Sequence, residues 1–228
     1  MIHLFQYASK QQLCIKSRIL LQVKKGNSYK HEPAVAGSFY PGSGKELEES
    51  VRVLMEKAEA SSALGVVSPH AGYMYSGPVA GALFARVIVP DICVVLAPKH
   101  TRMGSSQFAV WPDGQWLMPM GRVQVDEDFC GRLLRSCDLA KPDEDAHLRE
   151  HSAEVQIPFL QAVNPDVRIV PVIVSSGELK ALQEFGRSLA GVIKKTEGEV
   201  LVVASSDMTH YEDQESASEI QAIQKMDW

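Results

Sequence analysis

Two runs in this chain are apolar at every position yet too short to be ordinary helices: Ile92-Cys93-Val94-Val95-Leu96-Ala97 and Val200-Leu201-Val202-Val203-Ala204. Such runs read as strands buried on both faces, the condition of inner strands in a parallel sheet packed between helices. Val66-Val67 is a shorter run of the same kind. Each is released into a turn that carries a histidine: Ser68-Pro69-His70-Ala71-Gly72, Pro98-Lys99-His100 and Ser205-Ser206-Asp207-Met208-Thr209-His210. Pro69 cannot donate to a sheet ladder and Gly72 accepts backbone angles that other residues avoid, so the chain leaves the first strand sharply. If the strands are parallel, the three turns share one edge of the sheet, where open α/β sheets bind ligands and neighbouring strands lie only about 4.8 Å apart. A metal site or an acid–base site on His70, His100 and His210 is the leading expectation.

The rest of the pattern fills out one α/β domain with a mostly parallel central sheet flanked by helices. Leu47, Val51, Leu54 and Ala58 form an apolar helical stripe that ends at Ser61-Ser62. A helix is expected over 78–89 with Ser76 as its cap, another after Asp126 carrying Phe129, Leu133 and Leu134, and a third over 178–195. A last helix is expected over 215–228. Further strands are expected at 107–110, 121–125 and 168–174, the last interrupted by Pro171. Residues 33–42, with Phe39 and Tyr40 between prolines and glycines, read as a loop, and 141–145 as a polar connection. The 228 residues, 45% hydrophobic, are enough for a single sizeable core. No apolar run approaches the roughly 20 residues that span a bilayer, so no membrane is expected as partner.

Net charge is −5, yet residues 1–30 hold Lys10, Lys16, Arg18, Lys24, Lys25 and Lys30 without one acid, which leaves a strongly acidic body. An acidic body lacks the clustered cations that displace counterions from nucleic acid, so nucleic acid is not expected as a partner. The basic segment reads as an N-terminal extension, a tail or an early translation start. Ile15, Ile19, Leu20 and Val23 keep open a short amphipathic targeting helix. Cys14, Cys93, Cys130 and Cys137 contain no Cys-x-x-Cys pair, which suits a reduced, cytoplasmic setting.

Three constellations carry chemistry. His147-Leu148-Arg149-Glu150-His151 matches the H-x-x-E-H pattern of inverted zinc peptidases, but Ser152 looks like a helix start and Pro158 forbids one long helix here. The alternative is a solvated His147, with His151 beginning a helix pointed at the site. Asp207 either orients His210 and raises its basicity or caps the segment after the strand. Tyr73, Tyr75 and Tyr211 line a pocket or simply pack. No Gly-rich phosphate loop or G-x-S-x-G elbow is present.

Four blocks in order, Pro33-Ala34-Val35-Ala36-Gly37-Ser38-Phe39-Tyr40-Pro41, Pro69-His70-Ala71-Gly72-Tyr73-Met74-Tyr75-Ser76-Gly77, Glu150-His151-Ser152-Ala153-Glu154-Val155-Gln156-Ile157-Pro158-Phe159 and Ser205-Ser206-Asp207-Met208-Thr209-His210, resemble the Memo family. Its bacterial and archaeal members are called AmmeMemoRadiSam system protein B. The family is similar in fold to class III extradiol dioxygenases, α/β proteins with non-haem Fe(II) at a sheet edge. The resemblance implies that residues 31–228 form the family domain, that His70 and His100 bind metal, that His210 is an acid–base group and that His151 lines the site. It also implies a third metal ligand, a cysteine, from a segment beyond the position of Trp228, so that the C-terminal part of the family fold is expected to be missing and the site weakened. Asp207 or His210 is then the substitute ligand. Lys99 stands where the family usually has Asn.

Two functions follow as expectations. One is a protein with a histidine-lined Fe(II) or copper site, zinc being the third choice, that binds metal and a small-molecule or protein partner without established catalysis. The alternative is a dioxygenase-like oxidoreductase acting on a catechol-like substrate, with His210, Asp207 and His151 as its catalytic groups.

Overall fold

The computed structural model describes residues 30–209 together with 213, 215, 216 and 218. The basic segment up to residue 29, His210, Tyr211 and nearly all of the expected last helix lie outside the described residues. Nine strands form one sheet: β1 (Lys30–His31), β2 (Gly65–Ser68), β3 (Ile92–Pro98), β4 (Phe108–Val110), β5 (Gln115–Met118), β6 (Gly121–Val125), β7 (Ala140–Pro142), β8 (Arg168–Val174) and β9 (Val200–Ser205). The helices are α1 (Gly44–Leu54), α2 (Tyr73–Phe84), α3 (Glu127–Ser136), α4 (His151–Glu154), α5 (Ile157–Val163) and α6 (Leu179–Ile193). The result is a mixed α/β single domain. No helix among the described residues is long and apolar enough to cross a membrane.

The sheet runs β1-β5-β6-β8-β3-β9-β2, with β4 and β7 attached beside β8. Pairing is parallel except in the β5–β6 hairpin and between β4 and β8. Two of the three apolar runs read from the sequence take the inner positions β3 and β9, where Cys93, Val94 and Val95 are fully buried; the third, Val66-Val67, lies in β2 at the end of the strand order, where Val67 is exposed. Because β9 lies between β2 and β3, the turns after these three strands emerge side by side.

Pro171 does not interrupt β8, which is continuous from Arg168 to Val174. On its outer edge β8 pairs with β6 through Arg168 and Ile169 and with β4 from Val172 onward. Pro171 falls between these partners, at a break in the ladder where its missing N–H is tolerated.

Helix α2 begins at Tyr73, five residues before the expected start, and Pro78 lies inside it. Tertiary anchors hold this first turn: the Tyr73 N–H donates to Phe39 O at 2.8 Å and its hydroxyl to Val155 O at 2.8 Å. The Ser76 hydroxyl donates to Ala71 O instead of capping a helix. Helix α1 stops at Leu54 and leaves Ala58 outside, because the end of α1 abuts α2 at Gly81, where a Cβ would come within 2.3 Å of Leu54 O. The cap on α3 is as expected, with Asp126 accepting from Phe129 N at 2.8 Å.

Candidate metal centre

His70 follows β2 directly, after Pro69, and is 2% exposed. Asp207, in the turn after β9, holds that bend: its Oδ1 accepts the N–H of His70 at 2.5 Å and that of Ala71 at 3.2 Å. Met208 has a φ of 65° and Thr209 N donates back to Asp207 O at 2.7 Å, so the carboxylate sits on a tight turn with left-handed backbone. Asp207 thus organises the His70 turn, a role that neither reading of the sequence gave it, while its relation to His210 lies outside the described residues.

His100 arrives on the turn after β3 and is the open side of the group, with 37% of its side chain exposed. His151 comes from no strand. It is the first residue of α4, whose N-terminal cap is Glu150, and α4 contacts β3. The ring centroids are 5.1 Å apart for His70 and His100, 5.6 Å for His70 and His151, and 4.6 Å for His100 and His151. One ligand atom from each of these three histidines lies within 4.8 Å of the other two.

Hydrogen bonds decide which nitrogens are available. The Ser205 hydroxyl has one proton and donates it to Ser152 O at 2.6 Å. It therefore accepts from Gln156 Nε2 at 3.1 Å and from His70 Nδ1 at 2.9 Å. A neutral His70 thus carries its proton on Nδ1 and has its lone pair on Nε2, 3.6 Å from Asp207 Oδ2. A lone pair and a carboxylate oxygen facing the same space suit a bound cation.

Glu150 does the equivalent work for His100. Its Oε1 lies 2.9 Å from His100 Nδ1 and 3.4 Å from His151 Nδ1, and its Oε2 accepts the His100 N–H at 2.6 Å. Burial opposes its charge, but the hydrogen bonds from His100 and Ser152 outweigh burial and hold the carboxyl below the usual carboxylate range. An ionised Glu150 is an acceptor only, so a neutral His100 also keeps its proton on Nδ1 and offers Nε2. Carboxylate and hydroxyl partners of this kind fix tautomer and ring orientation at histidine metal sites. The donor set therefore fits a transition ion that takes imidazole ligands.

Other expectations resolve differently. His147 is neither solvated nor in the cluster: it is fully buried, its Nε2 lies 3.0 Å from Ala109 O, and its ring packs edge-on against Trp111 and Trp116. The H-x-x-E-H spacing thus splits between core and site. The two histidines straddle a bend before α4 rather than sharing a helix face. Tyr73 is a buried packing residue and Tyr75 is exposed. Cys93, Cys130 and Cys137 are buried and free, and none belongs to the histidine cluster. The orienting roles of Ser205, Gln156 and Glu150 were not legible beforehand; the only signal was that all three lie within the blocks quoted above.

A model of the family described as Memo-like protein matches residues 31–228. A MEMO1 family protein of Thermotoga maritima is 38% identical over 219 residues, covering 87% of this chain and 78% of the relative. Relatives of the same description are 39% identical over 200 residues in Methanopyrus kandleri (81% of this chain, 70% of the relative) and 40% over 189 residues in Aquifex aeolicus (82% and 69%). The matched span contains every strand that carries the histidine turns, and α4 with them. The chain belongs to the Memo-like family.

Proposed function

We propose that this protein binds a redox-active transition ion, Fe(II) or copper, through His70, His100 and His151 at the carboxyl edge of its sheet, and acts in metal handling or in recognising a small-molecule or protein partner. The observation that carries this reading is the convergence of three imidazoles, with one ligand atom of each within 4.8 Å of the others, two of them oriented by Ser205 and Glu150. Imidazole donors suit iron, copper and zinc alike. An ion held there supplies Lewis acidity and, for iron or copper, one-electron chemistry. Anaerobic titration with Fe(II), Cu(I), Cu(II) and Zn(II) against a competing chelator is the test. His70→Ala, His100→Ala and His151→Ala should each weaken binding at least as much as loss of an outer partner does, roughly 10- to 100-fold. Three variants that bind like the parent chain would sink the reading.

A second reading is a dioxygenase-like oxidoreductase. Asp207 favours it, because its carboxylate lies 3.6 Å from His70 Nε2 and brings to the histidines the negative charge that a two-histidine, one-carboxylate iron site uses. His210, beyond the described residues, is the proposed acid–base partner. Oxygen uptake by the Fe(II)-loaded protein over a panel of catechols tests it, and Asp207→Asn should abolish any uptake seen.

A further inference from the structure

The loop 33–42 contributes no histidine to the cluster, yet it touches the cluster's surroundings from two directions. Glu154 is the last residue of the short helix that begins with His151, and it is fully buried. Its carboxylate accepts the N–H of Ala34 at 2.6 Å, the N–H of Val35 at 3.1 Å and the hydroxyl of Tyr40 at 2.5 Å. These contacts bracket Phe39. The loop also closes on itself, with Phe39 N donating to Val35 O at 2.9 Å and Gly37 N to Tyr40 O at 2.8 Å. The Phe39 carbonyl receives the Tyr73 N–H, three residues after His70, at 2.8 Å, and a Cβ on Gly72 would stand 3.5 Å from the same carbonyl oxygen. With its backbone held this way, the Phe39 ring lies 4.7 Å from the His151 ring at an interplanar angle of 46°.

Among the three histidines, His151 is the one that the loop touches with an aromatic ring. His70 has Ser205 and His100 has Glu150 at 2.9 Å, whereas His151 Nδ1 is 3.4 Å from the Glu150 oxygen. A contact with a fixed aromatic ring adds to the orientation that polar contacts give His151.

We propose that Glu154 is a positioning residue for the metal centre: it pins the loop so that Phe39 holds the His151 ring in place to complete the three-imidazole group. The proposal rests on the metal-binding reading and adds to it the residues that organise its third ligand. Glu154 reaches no metal itself; it acts through Phe39.

The test is a double-mutant cycle read by the Kd and absorption spectrum of Co(II), combined with nuclear magnetic resonance of the His151 ring in metal-free protein. Phe39→Ala and Glu154→Gln should each weaken Co(II) binding roughly 10-fold, the low end for outer partners of a metal site, and both should change the Co(II) spectrum. Phe39→Tyr keeps the ring and should restore both. In a His151→Ala background, Phe39→Ala should change the residual affinity by no more than about twofold, because the interaction it removes is already gone. Without metal, Phe39→Ala and Glu154→Gln should move the His151 ring-proton signals in the same direction, through loss of the neighbouring ring current.

Full additivity of Phe39→Ala with His151→Ala would overturn the proposal. So would His151 signals that stay in place when Glu154 is changed, measured in protein whose thermal transition shows it to be folded. If Glu154→Gln does not fold, Tyr40→Phe, which removes one of the three donors that hold the loop on Glu154, takes its place: it should move the His151 signals in the same direction, and signals that stay in place overturn the proposal. If the parent chain binds no Co(II), the metal reading fails, while the metal-free signals still decide whether Glu154 governs His151 through Phe39.

Discussion

Ser205 Oγ lies 2.9 Å from His70 Nδ1, and because the hydroxyl's one proton goes to Ser152 O, this contact determines which nitrogen of a neutral His70 is left for a ligand. Ser205 is a buried residue at the end of β9, whereas His70 follows β2, so the register of two neighbouring parallel strands sets the tautomer of a candidate ligand.

Ser205→Ala removes this acceptor and the donor to Ser152 O together. Metal affinity is expected to fall roughly 10- to 100-fold. Stability in urea is expected to drop by about 1–3 kcal/mol, the cost of leaving buried polar groups without their partner. Chelator competition and urea melts on the same preparations measure the two effects.

Glu150→Gln keeps the shape of the side chain but exchanges an acceptor oxygen for a donor among groups that all donate. The Gln variant is therefore expected to lose metal affinity and stability together. The Glu150 carboxyl is held below its ordinary range in the fold, so its contribution is complete above about pH 4.3, the unfolded value, and is lost as pH falls through the folded value. Urea melts between pH 3 and 7 should show the gap between the parent chain and Glu150→Gln closing at the acid end.

Burial lowers the pKa of His31 to about 4 and that of His147 to about 3. In the unfolded chain both rings take up protons near pH 6.5. Stability complete above that pH is thus lost as pH falls toward 4. Around pH 5 the two rings together should give a slope of roughly 2–3 kcal/mol per pH unit, and His31→Gln should remove about half of it. Denaturation midpoints between pH 4.5 and 6.5 check this.

His147→Ala separates the core role from the peptidase pattern. Metal affinity should stay within about twofold of the parent, since His147 shares no ligand contact with the cluster. The lost packing against Trp111 and Trp116 should cost about 2–4 kcal/mol by calorimetry or urea melts. A loss of zinc binding at unchanged stability would restore the peptidase pattern.

Gly81 and Gly77 lie on the same side of α2 but should respond differently to alanine. At Gly81 a methyl would meet Leu54 O at 2.3 Å, a backbone atom that cannot yield, so Gly81→Ala is expected to cost about 1–3 kcal/mol. At Gly77 the nearest atom is Leu54 Cδ1 at 2.9 Å, the end of a flexible side chain. There the gain in helix propensity, about 1 kcal/mol, should bring the change near zero. Thermal melts of the two variants compare them directly.

The strands β3, β8 and β9 were legible to the residue or nearly so, because apolar runs and turn residues mark their ends locally, and β6 was legible from its alternation of polar and apolar residues. β1, β5 and β7 were not: two to four residues long, they are strands only because a partner lies beside them. The same division runs through the site. His70 and His100 could be placed from sequence because each ends a recognisable strand, and the family blocks marked both. His151 could be marked as lining the site, but its entry into the histidine cluster depends on α4 folding across the sheet edge.

The sequence by itself determined that this chain builds a buried parallel sheet and delivers histidines to one edge of it, since strand periodicity and turn chemistry act over a few residues. Only the tertiary structure decided which histidines meet, which nitrogen each offers, and that His147 belongs to the core while His151 belongs to the site. Those outcomes depend on hydrogen bonds and ring contacts between residues far apart in sequence, such as Ser205 with His70, Glu150 with His100 and Glu154 with Tyr40, and no local pattern encodes such pairings.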